Sequence, residues 1–256
     1  MIKKPSGLLP SMKRLVTLIG LATSAVIPAS AQAEDVHWAY EDPHGPEHWK
    51  EEFPACGGNS QSPIDIRETK QASGAGIHVD YKPSSPVRIV NNGHTIQVNY
   101  APGSSITVSS TMYELVQFHF HRPSEEQIQG RSFDLSAHLV HRNRNGKLAV
   151  IAVLFREGRT HLLLAKVWAH LPVPIGPERT IPGLSVDASE VLPAVGGYYR
   201  YSGSLTTPPC TEGVTWLVMQ VVQELSGDQL RVFPFKRDAR PIQPLNGRIV
   251  EEFTTH

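Results

Sequence analysis

Two short stretches of this chain set histidines at a spacing that suits chemistry on a β-strand: Gln117-Phe118-His119-Phe120-His121 and Ala137-His138-Leu139-Val140-His141. At a strand's two-residue period, His119 and His121 stand on one face while Phe118 and Phe120 point the other way. A neighbouring strand can bring His138 to the same face, with Val140 beside it. One histidine alone is usually a satisfied core or surface residue. Three neutral imidazoles converging from rigid strands instead match a catalytic zinc site whose fourth position is open to water. Without an anionic ligand the ion keeps its full charge, which lowers the pKa of bound water to about 7 and makes hydroxide available at neutral pH.

Other residues complete such a chemistry. Thr206 sits in the proline-stiffened loop Thr206-Thr207-Pro208-Pro209-Cys210, where its hydroxyl can accept from the hydroxide if its own proton goes to a carboxylate. Glu125, just beyond the first histidine pair, is the candidate carboxylate. His94, in Asn91-Asn92-Gly93-His94, offers an imidazole that can relay protons through water, although a lone histidine in a loop is common. Gln117 shares the face of His119 and can orient its ring.

These residues need a sheet to hold them. Apolar alternation predicts strands over residues 87–90, 94–100, 105–108, 114–121 and 133–142, and an almost continuously apolar strand, buried on both faces, over 147–155. Residues 160–170 read as either helical or extended. Short helices are expected near 185–191 and 226–233, a strand over 214–222, and a short extended run at 248–252. The fold class is mainly β within a mixed α/β chain: one domain around a large, mostly antiparallel twisted sheet with small peripheral helices. A doubly wound nucleotide fold lacks both its alternating long helices and its glycine fingerprint here.

Residues 1–33 read as a signal peptide: Lys3, Lys4, Lys13 and Arg14, then an apolar core, then Ala31-Gln32-Ala33 as a cleavage site. Residues 34–256 would form the catalytic domain, with no later stretch long and apolar enough to span a bilayer. The whole chain has 24 basic and 24 acidic residues, and the leader holds four basic and no acidic ones. The exported part is therefore slightly acidic, which argues against a general nucleic-acid binder. Cys56 and Cys210 are its only cysteines. In an oxidising compartment they suggest one disulfide, the alternative being two buried free thiols.

Taken together, Gln61-Ser62-Pro63-Ile64-Asp65-Ile66, the two histidine stretches and Ser204-Leu205-Thr206-Thr207-Pro208-Pro209-Cys210-Thr211-Glu212 closely resemble the alpha class of carbonic anhydrases, bacterial secreted type. The resemblance covers essentially the whole exported chain. It implies that His119, His121 and His138 bind zinc, that Thr206 orients the hydroxide and Glu125 accepts the Thr206 proton, that His94 is the proton shuttle, and that Thr207 orders the solvent path. It also implies a carbon dioxide site against Val140, Val150, Leu205, Val214 and Trp216, and a Cys56–Cys210 disulfide. The implied reaction is reversible hydration of carbon dioxide to bicarbonate and a proton, with weak esterase activity alongside. Periplasmic location and a homodimer are implied in the same way.

One position departs from the family pattern. Where these enzymes commonly carry a glutamate two residues before the third ligand, this chain has Ser136. A neutral, shorter hydroxyl at that place should cost about 10- to 100-fold in zinc affinity or activity. Asp134 shares the strand parity and is a candidate for partial compensation. A catalytically impaired or silent zinc-binding module on the same scaffold is the alternative that Ser136 leaves open.

Overall fold

The computed structural model describes residues 37–74, 76–84 and 86–254. The expected signal peptide lies outside the described residues. Among those residues the alternating stretches assemble into one 13-stranded sheet. Its main path runs Arg179–Ile181, Val87–Asn91, Ile96–Asn99, Thr111–His121, Leu135–Arg142, Leu148–Glu157, Glu212–Met219, Tyr198–Ser204, Glu251–Phe253 and Lys70–Gln71. Most neighbours are antiparallel. Leu148–Glu157 is an exception, lying parallel to Glu212–Met219.

Side-chain parity gives the sheet two different faces. On one, Phe118, Phe120, Leu139, Ile151, Val153, Phe155 and Leu217 belong to the larger apolar core. That core is covered by two short helices. Leu162–Trp168 resolves the ambiguity over residues 160–170 in favour of a helix and buries Leu163, Leu164, Val167 and Trp168. Gly227–Val232 begins with a capping box between Ser226 and Gln229, which satisfies amide donors that a helix start leaves free. Phe120 meets the Trp168 ring edge-on, with centroids 4.7 Å apart.

The opposite face carries the three histidines and a second apolar cluster containing Val150, Ala152, Leu154, Val214, Trp216 and Val218. This two-sided burial explains why residues 148–155 are almost uniformly apolar. A third cluster, under the N-terminal aromatic segment, gathers Trp49 and the two cysteines against Trp38, Tyr40 and Phe53. Cys56 and Cys210 form a disulfide across 154 positions of sequence.

Two expectations need correction. His94 is not in a strand, which begins instead at Ile96. The Asn92 side chain accepts from the backbone N–H groups of both His94 and Thr95 at 2.9 Å, and Gly93 adopts φ +90°, so the chain turns there. The sheet's last extended run is three residues, Glu251–Phe253, rather than 248–252. Arg248 is instead occupied at Pro244, Leu245 and Ser202, whose carbonyls its guanidinium binds.

Candidate metal centre

Register brings the histidines together. His119 lies directly opposite His138 in the antiparallel pair, and His121 lies opposite Ser136. One potential ligand atom from each of His119, His121 and His138 falls within 4.8 Å of the others. His121 and His138 are buried, and His119 is partly exposed.

Each ring is held from behind. The Gln117 side-chain oxygen lies 2.9 Å from Nδ1 of His119, and the Asp238 carbonyl lies 2.6 Å from Nδ1 of His121. Both partners are acceptors, so Nδ1 carries the proton in each ring and Nε2 is left for the shared space. His138 is turned the other way: its Nε2 faces Oε2 of Glu126 at 3.3 Å, leaving Nδ1 for the site. Nε2 of His121 is buried with no hydrogen-bond partner. Burial pushes the pKa values of His119 and His138 well below the ordinary imidazole value, and neighbouring histidines push them further. Three neutral imidazoles with their free nitrogens converging form a donor set that fits zinc.

The carboxylates beside them are as deeply buried. Glu125 Oε1 accepts from the Arg240 backbone N–H at 2.8 Å, and its Oε2 lies 3.6 Å from His121 Nε2 and 3.7 Å from His138 Nδ1. Burial, then the neighbouring Glu126 charge, raises Glu125 well above the carboxylate range, while hydrogen bonds from the Arg240 backbone and the Thr206 hydroxyl oppose the rise. Burial likewise lifts Glu126 and Asp238 to about 7. A cation among the three nitrogens would favour the ionised form of all three carboxyls.

The expected wall residues Val140, Val150, Leu205, Val214 and Trp216 fall into one apolar cluster on the histidine face. Trp216 packs edge-on to the His138 ring, with centroids 4.9 Å apart, and donates its indole N–H to the Ser204 carbonyl at 2.9 Å. Thr206 is buried and Thr207 half-buried in the loop that the disulfide ties down. His94 stands apart from the triad. It stacks on Trp38 with centroids 3.6 Å apart and lines an open cavity of about 620 Å³ with Trp38, Tyr40 and Asp238. Asp238 therefore connects that cavity to His121 through its carbonyl. Partial burial, and then His37, lower the His94 pKa.

Three residues of the site escaped the sequence reading: Glu126, Asp238 and Arg240. Glu126 adjoins a glutamate already given a role, Asp238 acts through its backbone carbonyl, and Arg240 lies in an irregular proline-rich tail with no periodicity to read. Asp134 does not compensate for Ser136. It is exposed, and its carboxylate accepts from the Glu157 backbone N–H at 2.7 Å.

Residues 44–254 match the family model described as eukaryotic-type carbonic anhydrase. A carbonic anhydrase of Neisseria gonorrhoeae is 44% identical over 252 residues, spanning 94% of this chain and 98% of the relative. The structure of a hyperthermostable carbonic anhydrase from an active hydrothermal vent chimney superposes with a TM-score of 0.81 at 44% identity, covering 84% of this chain and 99% of that one. Dioscorin in complex with ascorbate shares the fold at a TM-score of 0.78 and 34% identity, covering 86% and 99% of the two chains. A fold shared under different names leaves function to the residues of the site.

Proposed function

The chain belongs to the eukaryotic-type, or alpha, carbonic anhydrase family, and from that premise we propose that it reversibly hydrates carbon dioxide, with zinc held by His119, His121 and His138. The observation that carries this reading is the convergence of three imidazoles whose outer nitrogens are each engaged by an acceptor. Bound there, zinc supplies a Lewis acid that makes water a nucleophile near neutral pH.

The chain's own residues do the rest. Thr206, with its proton directed to Glu125, can only accept at its oxygen from an incoming O–H, and so selects the lone pair that faces carbon. Arg240 fixes the Glu125 carboxylate through its backbone N–H. Carbon dioxide has no net charge or dipole, so the apolar surface of Val140, Val150, Leu205, Val214 and Trp216 receives it and excludes competing water. His94, at the open cavity, takes the proton that each turnover must release, and Thr207 helps order the water between. Attack on an activated ester carbonyl would use the same groups, as a weak side activity.

In this reading residues 1–33 direct export, residues 34–256 are the catalytic domain, the compartment is the periplasm and the chain forms a homodimer. No helix among the described residues is long and apolar enough to cross a membrane. A silent zinc-binding module is the second reading, motivated by Ser136. The Glu126 carboxylate beside His138 weighs against it.

Stopped-flow hydration of carbon dioxide, with zinc quantified in the same sample, tests the proposal. Rapid turnover proportional to zinc content, lost on chelation and restored by zinc, is expected. One zinc per chain without turnover would favour the silent module.

A further inference from the structure

Serine at position 136 lies on the face of His138 but is too short, and uncharged, to act as a carboxylate acceptor for that ring. The carboxylate comes from a different part of the chain. Glu126 Oε2 stands 3.3 Å from His138 Nε2, and the side chains of both residues are buried, with 0% and 1% exposure. The other oxygen, Oε1, has no hydrogen-bond partner. Among the described residues, His138 is thus the one other side chain to which this carboxylate is hydrogen-bonded.

The backbone around Glu126 is pinned on both sides. The Ser124 hydroxyl donates to the Glu126 carbonyl at 2.9 Å and accepts from the Phe133 N–H at 2.9 Å. Immediately afterwards, Gln127–Ile128 pairs with Asp65–Ile66. Ser136 itself accepts from the Glu125 N–H at 3.4 Å, so its small side chain supports the segment that delivers Glu126. Burying a carboxylate costs several kcal/mol unless it is paired, so an uncharged residue would serve a purely structural role better.

We propose that Glu126 is the positioning residue for His138: its carboxylate accepts the Nε2 proton, fixes the tautomer that leaves Nδ1 for zinc, and takes over the task of the glutamate absent from position 136. This rests on the three histidines being the zinc centre. Ser136 and Glu126 are then a matched pair, with the charge moved from the strand to the preceding loop.

The test compares zinc release to a chromogenic chelator from the wild type, Glu126→Gln, and the double variant Glu126→Gln with Ser136→Glu, alongside thermal unfolding of the metal-free forms. Zinc should leave Glu126→Gln about 10- to 100-fold faster than the wild type, with metal-free unfolding little changed. The double variant should restore retention, because it returns a carboxylate to the His138 face. Equal release from wild type and Glu126→Gln, each carrying one zinc, would overturn the proposal while sparing the zinc centre. Faster release without rescue would also overturn it, since packing would then be the cause. A wild type that binds no zinc at these histidines would remove the zinc centre and the inference together.

Discussion

The backbone N–H of Arg240 donates to Oε1 of Glu125 at 2.8 Å, tying a buried carboxylate of the site to a residue 115 positions away. The same arginine's guanidinium binds the Gln61 side-chain oxygen at 2.8 Å, the Ser62 carbonyl at 2.9 Å and the Cys56 carbonyl at 3.0 Å. It is 3% exposed, and its burial lowers its pKa only to about 10, so it stays charged at neutral pH. One residue therefore fastens the carboxylate, the segment before Pro63 and the disulfide together.

Arg240→Met removes three buried charge-assisted bonds but keeps the backbone donor to Glu125. Stability to urea should fall by about 3–5 kcal/mol, while turnover per folded molecule falls much less. A loss of turnover equal to that of a site variant, with stability unchanged, would contradict this division.

Thr206→Val keeps the shape of the buried side chain but removes the hydroxyl between Glu125 and the reacting oxygen. We expect kcat/KM for carbon dioxide to drop about 100-fold with zinc content unchanged. Thr206→Ser should recover most of the loss. Stopped-flow kinetics with metal analysis measures both.

The Cys56–Cys210 bond closes a span of 154 positions. Chain entropy puts the stabilisation from a closure of that length at about 5 kcal/mol as an upper figure. Replacing both cysteines by serine should lower the urea midpoint accordingly. It should also lower activity, because the Thr206–Cys210 turn, closed by the Cys210 N–H to the Thr207 carbonyl at 2.9 Å, loses its anchor. Denaturation curves and rates on the same preparations separate the two effects.

His141, behind the sheet, predicts an acid limb. Its Nε2 meets the Tyr81 hydroxyl at 2.6 Å, and burial lowers its pKa to about 4, against backbone hydrogen bonds that raise it. Below the unfolded value of about 6.5, the unfolded chain takes up a proton that the folded chain refuses. The stabilisation is therefore full above about pH 6.5 and is lost as pH falls towards 4. Between about pH 7 and pH 5 this one group should remove about 2 kcal/mol. His141→Gln should flatten that part of the stability profile, and an unchanged slope would refute the assignment.

Much of the site was legible in the chain because strand parity is a local rule. His119 and His121 had to share a face, Phe118 and Phe120 had to take the other, and residues 148–155 had to be covered on both sides. The loop carrying Thr206 announced itself through its prolines, and two cysteines in a chain expected to be exported suggested their own pairing. Periodicity says nothing, however, about irregular backbone. Glu125 and Glu126 are adjacent glutamates, and nothing in their order tells which faces Arg240 and which faces His138.

The sequence by itself therefore determined the strands, which histidines could share a face and the chemistry such a group would permit, since these follow from alternation and residue type. Tertiary structure alone decided that the three histidines converge and how each ring is held. The Asp238 carbonyl on His121, the Arg240 N–H on Glu125 and the Glu126 carboxylate on His138 depend on where non-repeating segments cross the sheet, and those crossings are set by long-range packing.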